Sequence, residues 1–404
     1  AAAYAVVSYQ TAWLKANHPV EFMAGVMNCD IHLTDKLAIY FEEVRKRLEL
    51  PWVPPCVNRS DATFKVVDGA LVYALGALKN VGVDAMRLIV EGRGDKPFAT
   101  LFDLARRVDL KRVGKRPLEM LARSGAFDQL DSNRRRVFLA LDALVGYSAA
   151  IFEQKASNQV SLFGEAGDDL PEPRLQPVDD WLPAERLSEE FKAVGFYLSG
   201  HPLDDYMTLL KRKYGGDRGM PFMTLDELTE KVSQKGAMNA KLAGIVAGRQ
   251  ERKSARGNRF AFAQLSDPSG AYEVTLFSDT LETAREHLDA GSKVVVSVEA
   301  TMESDQLKLL GRSVGPIDAM TADVGGVGLK VFVEAPEAIE AVAAVLAGAR
   351  KAARGAGRGP VQFCLMDPSL PGEVEIDLGQ EFAVNPQIKG AIKSLQGVLE
   401  VEDI

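Results

Sequence analysis

Apolar residues recur at helical spacing through the first half of the chain and at strand spacing beyond residue 238. Residues 5–27 and 33–48 carry Val7, Trp13, Leu14, Phe22, Met23 and Val26, then Leu37, Phe41, Val44 and Leu48, which predicts two amphipathic helices. Pro19 interrupts the first, because proline disfavours helix in the residue before it. The prolines of "PWVPPCVNRS" hold that stretch extended. "ATFKVVDGALVYAL" alternates β-formers around Asp68-Gly69, the pair suited to a type I′ hairpin turn. Helices follow near 84–93, 99–108, 115–124 and 132–154, and residues 155–185 then lose periodicity as a linker does. "ERLSEEFKAVGFYLSGHPLDDYMTLLKR" returns to helix, with a Gly-His-Pro break.

The second half reads differently. "KLAGIVAGRQERKS", "RFAFAQLSD", "YEVTLFS", "KVVVSVEATM" and "QLKLLGRSV" are five strands, and the helical "DTLETAREHL" lies between the third and fourth. That is the order of an oligonucleotide-binding (OB) barrel. A last unit runs strand, helix, strand, strand, helix, strand from "LKVFVE" to "VLEVED". The fold class expected is multidomain α+β: a helical region with a helix–hairpin–helix, a five-stranded OB-type β-barrel, and a small C-terminal α/β domain.

Length and charge sharpen this picture. At 404 residues, two to four domains are expected. Cys29, Cys56 and Cys364 are sparse and odd in number, as in a reduced cytoplasmic protein, and the four histidines lack metal-ligand spacing. No apolar run reads as long enough to span a bilayer, so no membrane partner is expected. A helical pattern is already running at Ala1, without a Met, as in a piece of a longer chain. The net charge of −8 is unevenly spread. Asp103–Arg136 holds ten Lys/Arg against five Asp/Glu, and Lys241–Arg259 six against one. Gly164–Glu190 holds two against nine. Basic modules joined by an acidic connector suit a nucleic-acid binder.

Three features carry candidate chemistry. Leu75–Arg93 has the layout of a helix–hairpin–helix, two short helices about the turn Asn80-Val81-Gly82. Such a turn aims backbone N–H groups at a DNA phosphate, and Asn tolerates the left-handed conformation it needs. Lys111, Arg112, Lys115 and Arg116 lie nearby in sequence; a plain αα-hairpin is the alternative. In the barrel, Arg249, Arg252, Lys253, Arg256 and Arg259 cluster about the first turn as a single-strand contact. Phe260 and Phe262 alternate on the second strand and are expected to face the barrel core rather than stack on bases. The third feature is "QVSLF", whose Gln159, Leu162 and Phe163 suit capture by a partner's apolar pocket, or else fold back onto adjacent helices. Catalytic candidates are absent: Glu373, Glu375 and Asp377 share one strand face, as on a solvated edge, and "GGVGLK" lacks the Lys-Ser/Thr of a phosphate loop.

The order "AAAYAVVSYQTAWLKANHPVEFMAGVMN", "LPWVPPCVNRSDATF", "YALGALKNVG", "RSGAFD", "QVSLF", "GFYLSGHPL" and then a barrel resembles the C-terminal part of the α subunit of bacterial replicative DNA polymerase III. The resemblance implies 1–55 as the helical end of the fingers domain and 56–155 as a helix–hairpin–helix domain binding DNA and clamp. It implies 156–185 as an acidic linker opening with the clamp peptide, 186–236 as a helical connector, 237–317 as the OB-fold, and 327–404 as a τ-binding-like domain. Partners so implied are double- and single-stranded DNA, the β sliding clamp, through Gln159, Leu162 and Phe163, and the clamp-loader τ subunit. The family's catalytic carboxylates and their Mg2+ lie in a palm domain outside these residues. No cofactor and no polymerase activity are therefore expected of this chain alone. A repair scaffold without polymerase, or an error-prone paralogue, are the alternatives.

Overall fold

The computed structural model describes residues 2–156, 170–216, 220–253, 257, 259–303, 306–321, 328–334, 336–352, 358–366, 374–384, 386–393, 395 and 397–404. The chain divides into two compact units, Ala1–Ser199 and Gly200–Ile404.

The first unit opens with helices Ala2–Asn17, Pro19–Cys29 and Thr34–Glu42, the last running into a π-helical turn, Glu43–Arg47. Pro19 takes the first helical position, where its missing N–H costs nothing. Strands β1 (Trp52–Val53), β2 (Lys65–Val67) and β3 (Ala70–Val72) form a small sheet ordered β1-β3-β2. Asp68 and Gly69 join β2 to β3 with φ of 51° and 76°, the positive values that a type I′ turn demands. Helices Val83–Arg93, Leu101–Arg107, Leu110–Val113, Lys115–Ser124 and Arg134–Ala156 follow. Thr100 caps the second of these and Asp109 the third, each accepting from a first-turn N–H. One hydrophobic cluster runs from Met23 through Phe41, Tyr73, Met86 and Leu141 to Leu198. The segments expected as 1–55 and 56–155 therefore share a core.

Two expectations are corrected here. By length and composition, Arg134–Lys155 is apolar enough to cross a bilayer. Its Val137, Leu141, Leu144 and Tyr147 are buried in the core of this unit, which accounts for that apolarity. The helical connector expected over 186–236 is divided: helix Pro183–Val194 lies in the first unit and helices Asp204–Tyr214 and Leu225–Lys235 in the second. Residues 170–182, inside the expected linker, run without secondary structure along the first unit. There Leu170 and Leu175 pack on the core, and Trp181 lies 5.7 Å from Phe138, ring to ring.

A buried charge knot fixes the helix that follows. Arg134 forks onto Asp128, with Nε–Oδ1 at 3.0 Å and Nη2–Oδ2 at 2.8 Å, and its Nη1 stands 3.7 Å from Glu190. Glu190 is 2% exposed, and one of its oxygens accepts from the N–H groups of Leu198 and Ser199 at 2.8 and 2.9 Å. Gly125 lies under this knot with φ +80°, and a Cβ there would collide with a guanidinium that is already pinned.

In the second unit, β4 (Ala237–Lys253), β5 (Arg259–Asp267), β6 (Gly270–Phe277), β7 (Lys293–Glu303) and β8 (Gln306–Pro316) close into a barrel ordered β4-β5-β6-β8-β7. Helix Ser278–Ala284 lies between β6 and β7. Strand β4 serves two neighbours: Ala237–Ile245 pairs with β7, and Ile245–Lys253 pairs with β5, with an irregularity between Val246 and Gly248 where the strand turns the corner. At the β5–β6 turn, buried Asp267 accepts from the N–H groups of Leu225, Ser269 and Gly270. Burial nevertheless pushes its carboxyl above the usual range. Strands β9 (Leu329–Val333), β10 (Arg358–Leu365), β11 (Val374–Ala383) and β12 (Val398–Asp403) form a second sheet ordered β11-β10-β9-β12. Helices Pro336–Ala352 and Pro386–Lys393 accompany it, with Val331, Val342, Phe363 and Ile392 in the core.

Glu190→Ala strips a buried arginine of one partner and leaves two N–H groups unmatched, so a loss of about 3–5 kcal/mol is expected in the first unit. Trp13, Trp52 and Trp181 all belong to that unit, so a denaturant titration followed by tryptophan fluorescence measures it separately.

Candidate nucleic-acid interface

The Asn80 turn is a tight hairpin, with one departure from expectation. Its first flank is a 3-10 turn, Leu75–Ala77, rather than an α-helix. Prolongation is blocked by Leu78, whose backbone is extended, and by Asn80, whose φ is +58°. Asn80 and Gly82 are exposed, Val81 is buried as the anchor, and Gly82 caps helix Val83–Arg93. The Lys79 N–H donates to Ala193 O at 2.7 Å, which braces the turn against the C-terminal end of helix Pro183–Val194. Asp84 stands in the first turn of helix Val83–Arg93 and pairs with Arg87 at 2.7 Å.

A second turn of similar build was not recognised in the sequence. Helix Leu110–Val113 packs against helix Val83–Arg93 and leads through Gly114, at φ +93°, directly into helix Lys115–Ser124. The signal was Val113-Gly114-Lys115, a glycine between two helical patterns. Lys111, Arg112, Lys115 and Arg116 border this turn, and all four are exposed. Lys115 pairs with Asp142 at 2.7 Å and Lys111 with Glu153 at 3.8 Å. The guanidinium groups of Arg112 and Arg116 have no partner among the described residues.

On the barrel, alternation along β5 places Ala261, Ala263 and Leu265 inside and Phe260, Phe262 and Gln264 outside. The expectation that Phe260 and Phe262 fill the core is therefore overturned. The inside of a five-stranded barrel accepts small side chains at these positions, and Gln264 on the same parity as the two phenylalanines was the telling residue. Cross-strand register builds a grid on this outer face. Arg252, Phe260 and Phe277 form one row, and Gln250, Phe262 and Thr275 the next. The Phe260 ring lies 5.4 Å from that of Phe262 and 6.5 Å from that of Phe277, which is 56% exposed. The Arg252 guanidinium sits 5.3 Å from the Phe262 ring centre.

The cations expected to act together are not equivalent. Arg249 is engaged by Arg285 O at 2.6 Å, Glu251 at 3.5 Å and Asp289 at 3.8 Å. Lys253 and Arg259 are cross-strand neighbours, exposed and without partners among the described residues. Lys308, on β8, joins the same face and was missed. Arg256 lies outside the described residues, as do Gln159, Leu162 and Phe163. Among the described residues no group of three or more His, Cys, Asp or Glu side chains is placed to hold a metal ion.

Residues 49–137, which contain both turns, match the family model described as a helix-hairpin-helix motif. The DNA polymerase III subunit alpha of Caulobacter vibrioides is 37% identical over 407 residues, taking in 100% of this chain and 34% of that protein. The chain belongs to the family of DNA polymerase III α subunits. The α subunit of Thermus aquaticus is 34% identical over 342 residues, 84% of this chain and 26% of that protein. The chain thus spans about a third, or less, of the length of these α subunits. Among solved structures, a mitochondrial single-stranded DNA binding protein from S. cerevisiae matches with a TM-score of 0.17 at 22% identity, over 19% of this chain and 91% of that one. A likeness at that score adds nothing to the fold described above.

Asn80 is the one residue of the first hairpin whose conformation penalises a side chain. Asn80→Val is expected to cost about 1–2 kcal/mol and Asn80→Gly almost nothing. Tryptophan-monitored denaturation of the first unit distinguishes the two.

Proposed function

We propose that this chain is the DNA-handling and partner-binding C-terminal part of a replicative polymerase III α subunit, and that the nucleotidyl transfer it serves takes place in a palm domain elsewhere in the longer protein. In this reading the Mg2+ ions belong to that palm, the chain needs no cofactor of its own, and it works in the cytoplasm. The two turns within 49–137 grip duplex phosphates, through the backbone N–H groups after Gly82 and the guanidinium groups of Arg112 and Arg116.

The observation that carries the reading is the outer face of the barrel. Three neighbouring phenylalanines, Phe260 and Phe277 paired across strands and Phe262 beside them on β5, with Arg252 over one ring and Lys253, Arg259 and Lys308 around them, combine stacking surface with positive charge. Unpaired bases stack on such rings in a sequence-tolerant way, while the cations follow the backbone. A protein core has no use for three large rings on its solvent side. This barrel is therefore read as an OB-fold that takes the single-stranded template.

Gln159, Leu162 and Phe163 supply the β sliding-clamp peptide, a reading supported by the chain's likeness to α subunits and by their residue types. The domain over 327–404 docks the clamp-loader τ subunit; its place after the barrel supports this assignment.

Two measurements test the reading. Phe260→Ala and Phe262→Ala should each weaken binding of a fluorescent single strand by about 1–3 kcal/mol. Arg252→Glu with Lys253→Glu should flatten its salt dependence, whereas Arg249→Ala should leave the slope unchanged. Unaltered affinity in the aromatic variants would remove the barrel from the DNA path. For the clamp, surface plasmon resonance on immobilised β clamp should show binding by the intact chain that is lost on combining Gln159→Ala, Leu162→Ala and Phe163→Ala. Equal binding by both proteins refutes the peptide assignment.

A further inference from the structure

The outer face of the barrel is not uniform along its strands. In the row of Arg252, Phe260 and Phe277, a base meets rings and a hydrogen-bond-donating cation but no carboxylate to accept from its edge. The rows around Phe262 differ. Gln250 and Thr275 lie directly across from it, and the next outward pair is Gln264 with Glu273. Of these, Phe262, Glu273 and Thr275 line a cavity of about 290 Å3, together with Lys308 and Thr229 among others. That volume stands at the small end of cavities that enclose a ligand. Gln264 and Glu273 are exposed, and Glu273 makes no ion pair or hydrogen bond with any described residue.

We infer that Phe262 and its neighbours form a base-discriminating subsite within the single-strand path, one that favours a base with an exocyclic amino group, cytosine above all, over thymine. This rests on the reading of the barrel as a single-strand binder and adds a preference to it. An ionised carboxylate only accepts hydrogen bonds. A base stacked on Phe262 presents its edge to Glu273. Cytosine offers the N4 amino group there as a donor, whereas thymine offers the O4 carbonyl, which a carboxylate repels. Lys308, which lines the same cavity from β8, would take the phosphate of the same nucleotide. The amide groups of Gln250 and Gln264 donate and accept alike, so they position a base without choosing it. Within this subsite the preference for an amino group over a carbonyl therefore falls on Glu273, while the rings of Phe260 and Phe277 remain sequence-blind.

The test is fluorescence anisotropy of the whole 404-residue chain with labelled (dC)12 and (dT)12 at pH 8, where cytosine is neutral. The chain should bind (dC)12 about fivefold more tightly than (dT)12, the lower end of what one base-edge contact discriminates. Glu273→Gln should bring the ratio close to one and strengthen (dT)12 binding, because a repulsion is removed. Thermal unfolding of that variant should match the parent, since the side chain is exposed and unpaired. Phe262→Ala should weaken both oligomers. If the parent binds both equally, or if Glu273→Gln keeps the ratio, the subsite is refuted while single-strand binding stands. If the parent binds neither oligomer, both the subsite and the reading beneath it fall.

Discussion

Five strands enclose little room, and that limit shapes the functional side of the second unit. Inward positions of β5 are Ala261, Ala263 and Leu265, while β6 contributes Tyr272, Val274 and Leu276. Larger rings at the alanine positions would overfill the interior. Alternation then sends Phe260, Phe262 and Phe277 outward, where the pleat sets them in rows. The aromatic surface is thus a consequence of closing the barrel at this size, and the register that closes it also spaces the rings. Strand β4 completes the arrangement by bending between Val246 and Gly248 and carrying Arg252 onto the same face.

The first unit depends on charge buried in a packed interior. Removing the Glu190 carboxylate and most of the Arg134 guanidinium from water is costly, and only good geometry offsets it. Arg134 meets that condition through its fork onto Asp128, and Glu190 through two backbone donors in addition. The outcome is specificity of placement: helix Pro183–Val194 has one seat. The hairpin at Asn80 inherits this rigidity, because Lys79 is bonded to Ala193 on the same helix.

Much of this architecture was legible in the sequence. The strand and helix order from 238 onward follows from period and turn residues, and the Asp68-Gly69 hairpin from turn chemistry alone. What failed did so for identifiable reasons. The parity of β5 is ambiguous when two phenylalanines alternate with two alanines, since hydrophobicity favours one face and interior volume the other. The seating of helix Pro183–Val194 in the first unit rests on Glu190 meeting Arg134 and its partner Asp128, 56 and 62 residues earlier in the chain, and carries no local signature. Among the five cations of the first barrel turn, composition counted Arg249 as available, but its partners Asp289 and the Arg285 carbonyl come from beyond β6. Second-hairpin geometry escaped notice because helix Leu110–Val113 is a single turn long.

Arg106 joins two places that lie far apart along the chain. Its carbonyl accepts from Lys155 Nζ at 3.1 Å, at the end of the long helix, and its guanidinium pairs with Glu172 in the irregular acidic segment. The end of the long helix and the acidic segment are therefore both referred to one point on helix Leu101–Arg107. A displacement of that helix would carry the two together.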